Sequence, residues 1–366
     1  MASVFGQNFK VSVFGQSHAP GIGVVVDGLP AGFAPDMERL RAFMRRRQPG
    51  QNLLGTQRRE ADMFDVLSGL VDGRLCGAPL CMFIKNIDKR SSDYKGLEQT
   101  PRPGHSDYPA SVKYRGYGDA AGGGHFSGRL TAPLCMAGGM MMQLLEEDGI
   151  RIGAHIQSVG EAQDTPFDPL APQMDALSKD YLTVLDEAAG ERMAQLIDNA
   201  RLELDSVGGI IECAVTGLPV GLGQPMFDGI ENVLSKAIFG IPAIRGIEFG
   251  SGFESTKMRG SEHNDPFVFD EQGKVVTASN RHGGVLGGLA TGMPLIFRVA
   301  VKPTASIFLS QQTVNLNTGK NAELSLKGRH DPCIVPRAVP VVEAVAALAI
   351  YDLYLDYLKE KNYGAE

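Results

Sequence analysis

The chain carries no excess of basic residues: 35 Lys and Arg stand against 42 Asp and Glu, a formal net charge of -7. Without a basic excess or tail, its overall charge gives no support for binding nucleic acid. Cysteines are few, and the five (Cys76, Cys81, Cys135, Cys213 and Cys333) are scattered. No pair has the spacing of a zinc site or a redox motif, so they read as reduced, mostly buried thiols. There is no basic leader with an apolar core and cleavage site, and no apolar run is expected to span a bilayer. A cytoplasmic chain with no membrane partner is the expectation. Linker compositions, internal repeats and low-complexity tracts are also missing, so residues 1–366 are expected to form one domain.

What is present begins with glycine, 45 residues that cluster instead of repeating. Clusters of this kind point to tight turns and ligand loops, not to collagen or disorder. Apolar residues make up 43% of 366, ample for a large core. Alternation predicts strands over Phe9–Phe14, Ile22–Val26, Met63–Leu70, Pro79–Ile84, Ile150–Val159, Gly209–Val215, Ala243–Phe249 and Leu295–Val301. Asp72-Gly73 is a hairpin signal. Helical spacing predicts helices over Met37–Arg47 behind an Asp36 N-cap, Ser127–Glu147, Glu191–Arg201, a segment from Asp228 to Phe239, and Val339 to about Lys359. The methionines at 136 and 140 to 142 read as core filling. Strands and helices mix without βαβ alternation, which favours an α+β fold over a doubly wound sheet.

Several short stretches carry chemistry. In Arg102-Pro103-Gly104-His105-Ser106-Asp107 the Pro-Gly pair breaks regular structure, so His105 sits on a loop. An imidazole there can move protons near neutral pH. Gly122-Gly123-Gly124 follows, able to bring backbone N–H groups close to an anion. Ser17-His18 stands at a strand end, where a lone His is more often a partly buried histidine satisfied by backbone. The helix over Met37–Arg47 holds Arg39, Arg41, Arg45, Arg46 and Arg47, more cations than it can pair internally. They make either a solvated basic face or a site for phosphate or carboxylate. Lys302-Pro303-Thr304-Ala305-Ser306 offers a cation and two hydroxyls for a phosphate cradle. Neither glycine cluster fits the dinucleotide fingerprint or the P-loop.

Taken together these pieces resemble the chorismate synthase family over nearly the whole chain. The resemblance rests on Phe14-Gly15-Gln16-Ser17-His18, Arg46-Arg47-Gln48-Pro49-Gly50-Gln51, Arg58-Arg59-Glu60 with Asp62, Ser68-Gly69, Asp93-Tyr94, and the His105 stretch. It continues through Gly246-Ile247-Glu248-Phe249-Gly250, Gly283-Gly284-Val285-Leu286-Gly287-Gly288, Lys302 to Ser306, and Gly328-Arg329-His330-Asp331-Pro332-Cys333. The resemblance implies a lyase that removes phosphate from 5-enolpyruvylshikimate 3-phosphate by trans 1,4-elimination. The product, chorismate, closes the shikimate pathway to aromatic amino acids.

It also implies reduced FMN as cofactor, an external flavin reductant, NADPH only as an indirect reductant, and a homotetramer. The implied fold is a β-α-β sandwich with antiparallel sheets in the core and helices outside. By the same resemblance His18 meets the charge on the leaving phosphate. His105 protonates the reduced flavin, Asp331 helps a proton leave it, and Ser17 and Ser127 are relay hydroxyls. Arg39, Arg46 and Arg47, with Arg329, are the candidates for holding the anions. His125, Phe126, Ser127, Pro242, Ala243, Gly287, Lys302, Pro303, Thr304, Ala305, Ser306 and Arg329 fall at the flavin positions.

The chain departs from the family pattern at Gln16, Ala19 and Leu53 and through His125 to Leu130, where His125 stands for the usual Arg. Losing that Arg removes a permanent charge, while Gln16 and Leu130 remove two carboxylates. Two other readings stay open: a scaffold that binds flavin or an anionic metabolite without turnover, and an ordinary flavin oxidoreductase that consumes reduced flavin.

Overall fold

A computed structural model describes residues 3–50, 54–55, 62–87, 96–178, 181–326, 328 and 330–363. Leu53, the Arg58-Arg59-Glu60 run, Asp93, Tyr94 and Arg329 lie outside them, as do most of the loops 51–57 and 88–95. The first half of the chain holds β1 (Val4–Phe5), β2 (Lys10–Gly15), β3 (Gly21–Asp27), α1 (Met37–Arg47), β4 (Phe64–Ser68), β5 (Leu70–Val71), β6 (Arg74–Leu75), β7 (Leu80–Lys85), α2 (Asp107–Lys113) and α3 (Thr131–Glu147). The second half holds β8 (Arg151–Val159), β9 (Ala162–Gln163), α4 (Glu187–Leu202), β10 (Gly209–Thr216), α5 (Ile230–Ile238), β11 (Ile244–Phe249) and the short α6 (Gly260–His263). There follow β12 (Phe267–Phe269), β13 (Val275–Thr277), β14 (Val285–Leu286), β15 (Leu289–Ala290), β16 (Leu295–Val301), β17 (Gln311–Asn315), β18 (Lys320–Leu324) and α7 (Val335–Tyr363).

Two five-stranded antiparallel sheets result, in the orders β1-β2-β3-β7-β4 and β11-β16-β10-β8-β9. In the first, Ile22, Val24 and Val26 of β3 are fully buried, as strict alternation on one face requires. In the second, Cys213 of β10 pairs with Ala154 on one side and Phe297 on the other, and all three are buried. The Asp72-Gly73 turn closes the β5–β6 hairpin with φ of 48° and 75°, the left-handed pair that a two-residue hairpin favours. Asp36 caps α1, its carboxylate accepting from the Arg39 amide at 2.9 Å.

The mixture of helix and antiparallel sheet is as expected, but the two longest helices, α3 and α7, are not on the outside. α3 packs on β3 and β7 of the first sheet, α7 packs on β8 and β10 of the second, and the two helices pack on each other. Helices therefore fill the space between the sheets. The physical reason is their composition: α3 buries Ala132, Met136, Met140, Leu144 and nearly every residue between, so it has no solvent face to present. Gly138 makes the crossing possible, because a Cβ there would stand 2.3 Å from the Ala344 carbonyl oxygen. The expectation that no run is apolar enough to cross a membrane also needs correcting. Val335–Lys361 meets that test by length and composition, yet 94% of its most apolar window is buried inside the protein, as the core helix of this fold.

Helix starts differ from the sequence reading: α3 begins at Thr131 after a 3-10 turn and α7 already at Val335. α5 starts at Ile230 with Gly229 at its N-cap, and the Asp228 carboxylate instead accepts from the Gln7 side chain at 3.1 Å. α4 starts earlier than expected because Asp186 caps it, accepting from the Ala188 amide at 3.0 Å.

One polar network lies in the interior, and none of its members lines the cavity described below. His155 on β8 is fully buried, with Nδ1 2.9 Å from Asp164 and Nε2 3.0 Å from Glu212 of β10. Both ring nitrogens meet carboxylates, so the imidazolium, which donates at both, fits the site. Burial alone would push its pKa down, but the two carboxylates outweigh burial and raise it. A raised folded-state pKa gives stability below the unfolded value near 6.5 that is lost as pH climbs through the folded value. His155→Ala should therefore lower unfolding free energy by about 3–5 kcal/mol, since two buried carboxylates lose their cation. Urea unfolding across pH should show the gap to wild type at its widest between about pH 4 and 6.5 and narrowing above. A pH-independent gap would refute the buried imidazolium.

Candidate active site

Six separate segments end at one cavity of about 570 Å³. They are Arg47 and Pro49 at the end of α1, the 102–106 loop before α2, the 122–131 turn into α3, residues 239–244 after α5, residues 302–306 after β16, and residues 330–341 entering α7. Local chemistry places each. Gly104 turns the loop with φ of 69°. Ser127 accepts from the Arg129 amide at 3.3 Å and opens the 3-10 turn Gly128–Leu130 that runs into α3. The Lys302 amide donates to the Ala243 carbonyl at 3.0 Å, tying the end of β16 to the start of β11. Ala243 itself has φ of 72°, a left-handed conformation that costs a non-glycine residue on the order of 1–3 kcal/mol and clusters at functional sites. The two central helices, α3 and α7, both begin at this cavity, so their positive dipole ends face it.

The charge of the site opposes that of the chain. Arg47, Arg102, Arg129, Arg337 and Lys302 line it, against the carboxylates of Asp331 on the wall and Asp62 and Asp107 behind it. Asp62 is buried and bridges Arg47 and Arg129. Burial would raise its pKa, but the two guanidiniums outweigh burial and hold it below the usual carboxylate range. Arg47 also donates to Thr131 Oγ1 at 3.1 Å, and Arg337 donates to the Arg47 carbonyl at 3.0 Å and to Asp331 at 2.6 Å. Burial, with Arg245 nearby, lowers the Lys302 pKa, and its ammonium donates to the Gly104 carbonyl. The surplus of cations makes an anion site.

His105 lines the cavity, with Nδ1 2.6 Å from Asp107. His18 and Ser17 stand one layer back, behind Gly122. A Cβ on Gly122 would lie 2.7 Å from His18 Nε2 and 2.8 Å from the Ser17 hydroxyl. A Cβ on Gly123 would lie 3.5 Å from His105 Nε2. The two imidazoles thus rest against successive glycines of one turn, and Asp331 lines the cavity that Gly122 and His105 share. Ser17 Oγ and Thr304 Oγ1 are buried and have no hydrogen-bond partner among the described residues.

Of the residues singled out in the sequence, His105, Asp331, Ser127, His125, Phe126, Pro242, Ala243, Lys302, Pro303, Thr304, Ala305, Ser306 and Arg47 line this cavity. Arg39 and Arg46 do not: Arg39 pairs with Glu146 of α3 and Arg46 with Glu343 of α7. Successive helix positions differ by about 100° in direction, so of these three arginines α1 aims Arg47 alone inward. Gly287 is at the tip of the β14–β15 hairpin, where the Gly288 carbonyl accepts from the Ile230 amide at 3.0 Å. That is the N-terminal end of α5, and the cavity lies past its C-terminal end. His125 is held by both ring nitrogens, Nδ1 to the Gly15 carbonyl and Nε2 to the Ser3 hydroxyl, each at 2.8 Å. Sequence reasoning assigned no role to Arg102, Arg129, Arg337, Asp62 or Asp107. The signal for Arg337 was a single cation in the apolar run from Ile334 to Val342.

Comparison with known proteins bears on this geometry. The family model described as chorismate synthase matches residues 9–355. A chorismate synthase of Korarchaeum cryptofilum is 46% identical over 353 residues, covering 95% of this chain and 96% of that protein. One of Lachnoclostridium phytofermentans is 45% identical over 359 residues, covering 98% and 96%. A solved structure titled "Crystal Structure of Chorismate Synthase" superposes with a TM-score of 0.77 at 25% identity, over 97% of this chain and 94% of that one. The chain belongs to the chorismate synthase family, whose members are lyases that eliminate phosphate from 5-enolpyruvylshikimate 3-phosphate to give chorismate.

Proposed function

We propose that the 570 Å³ cavity is where this elimination takes place, and that reduced FMN shares it with the substrate. The observation that carries the reading is the convergence of His105, Asp331 and, through Gly122, His18 on one cation-rich cavity in an acidic chain. The substrate bears a phosphate and two carboxylates, which forked guanidiniums suit. Arg47, Arg129 and Arg337 are the cations that hold it. Breaking the C–O bond builds charge on the leaving phosphate, which these cations, the helix N-termini and His18 stabilise. His105 takes up and gives back the proton that the reaction moves, at the ring nitrogen not taken by Asp107, and Asp331 is its counterpart across the cavity.

The residues fit a flavin phosphate and ring. Thr304 Oγ1 is buried with an unused hydrogen-bonding group, Lys302 supplies charge, and Ala243 turns its backbone at the wall. Ser127, Pro242, Ala243 and Lys302 to Ser306 would hold it, with Arg329 at another family position. When bound, reduced FMN supplies an electron-rich partner for the C–O cleavage. His125 anchors Gly15 and Ser3, and Arg47, Arg102, Arg129 and Arg337 keep the cavity cationic without an arginine at position 125. This favours turnover over a scaffold that only binds.

One apolar cluster takes in both sheets with α1, α3, α5 and α7, which supports a single domain over residues 1–366. Exposed Phe227, Phe253 and Phe269 supply apolar surface for a homotetramer to cover. The enzyme works in the cytoplasm with an external reductant for the flavin, and NADPH reaches it only through that reductant.

Incubation without oxygen, with the phosphorylated substrate and chemically reduced FMN, should release phosphate and chorismate in equal amounts; no product would overturn the reading. NADPH with FMN alone should give none until a flavin reductase is added. His105→Ala should lower kcat by about 10²–10⁴-fold and leave KM within a few-fold, measured by chorismate absorbance. Turnover near wild type would remove the proton-transfer role. Gly122→Ala should push its methyl onto His18 and Ser17 and cut kcat at least about a hundredfold, with a stability cost of about 1–3 kcal/mol from the φ of 61°. An active Gly122→Ala enzyme would show that this close approach is unnecessary.

A further inference from the structure

We propose that Asp107 is the positioning residue of this site, fixing His105 as the Nδ1–H tautomer so that the Nε2 lone pair is the group offered to the cavity. This rests on the proton-transfer reading of His105. The Asp107 carboxylate is the first residue of α2 and is nearly buried, with its side chain 8% exposed. Oδ1 lies 2.6 Å from His105 Nδ1. A carboxylate can only accept there, so Nδ1 must carry the hydrogen in the neutral ring.

Arg102 holds the carboxylate from the other side. Its Nε donates to Oδ2 at 2.7 Å, its Nη2 to Oδ1 at 2.8 Å, and its backbone amide to Oδ2 at 3.1 Å. Its Nη1 reaches Ser306 Oγ at 3.1 Å, which fixes the guanidinium to the 302–306 wall. Arg102 Nη2 is 3.1 Å from His105 Nδ1 and 3.3 Å from Nε2. Near-equal distances to two nitrogens of one five-membered ring put the guanidinium over the ring face. Asp107 Oδ1 is closer to Nδ1 than this guanidinium is, at 2.6 Å against 3.1 Å. With this anchoring the carboxyl is held far below the usual carboxylate range: burial opposes it, and Arg102 and His105 outweigh burial. Asp107 also lines a second cavity, together with Tyr114, Phe126 and Leu134.

The order of residues explains the arrangement. Gly104 turns the chain so that Arg102 and Asp107 face each other across five positions, and His105 is inserted between them. The imidazole is thus oriented by a buried charge pair.

The test reads the tautomer directly. In the flavin-free enzyme, ¹⁵N NMR of His105 at a pH where the ring is neutral should show a protonated Nδ1 and a pyridine-like Nε2. Asp107→Asn should shift the ring toward the Nε2–H tautomer, lower kcat at least about tenfold and leave KM within about twofold. Asp107→Glu, which keeps the charge, should recover part of kcat. Asp107→Ser serves the same test where the Asn variant does not fold. In a His105→Ala background, Asp107→Asn should add no further loss of kcat. An unchanged tautomer in the Asn or Ser variant, or a kcat loss that adds to that of His105→Ala, would overturn the assignment. If His105→Ala itself turns over normally, the proton-transfer reading fails, and the tautomer measurement still decides what Asp107 does to the ring.

Discussion

The carboxylate of Asp62, buried between Arg47 and Arg129, lets this protein keep cations in a dry interior. An isolated guanidinium there would be expensive, and removing one partner of such a buried pair typically costs about 3–5 kcal/mol. One aspartate shared by two arginines leaves the site with more positive than negative charge. That imbalance is the working feature, because the substrate brings the missing anions. Arg337 extends the pattern, bonded to Asp331 and to the Arg47 carbonyl, so three helices (α1, α3 and α7) are joined through their charged side chains where they meet the cavity. Charge binding and helix packing are therefore one problem here.

The helix layer between the sheets has a functional consequence. α3 and α7 lie side by side with Gly138 against the Ala344 backbone, and both start at the same end of the molecule. Their amide ends thus open on one cavity, each carrying roughly half a positive charge when the helix is long. Helices covering the outside of a sheet core could not bring two such ends together so deep in the fold. The layering that buries the apolar faces also concentrates positive potential at the site.

Much of this was legible in the residues. Asp36, the Asp72-Gly73 turn and the alternation in β3 each encode their element locally, and each formed as read. The loops with chemistry were visible as glycine and proline breaks beside His, Ser and Lys. What periodicity does not encode is which surface covers an apolar face. α3 and α7 did carry the clue, since a helix apolar all round needs partners on every side. The fate of Arg39, Arg46 and Arg47 was hidden for a related reason: composition shows cations on a helix, while Glu146 and Glu343, both more than a hundred positions away, decide which are neutralised.

The histidines show the same division between local and distant causes. His155, His125 and His105 all have a ring nitrogen against an oxygen acceptor, yet they do different work. His155 has a carboxylate at each nitrogen and is fully buried, which makes it a charge held for stability. His125 meets a carbonyl and a hydroxyl, which makes it a tie between segments. His105 alone of the three pairs one nitrogen with a carboxylate while its ring lines a cationic cavity. An imidazole saturated at both nitrogens cannot exchange a proton without breaking a bond, whereas one anchored at a single nitrogen can do so repeatedly. That difference in hydrogen-bond topology, set by residues as near as Asp107 and as far as Ser306, separates a reactive histidine from a structural one in this fold.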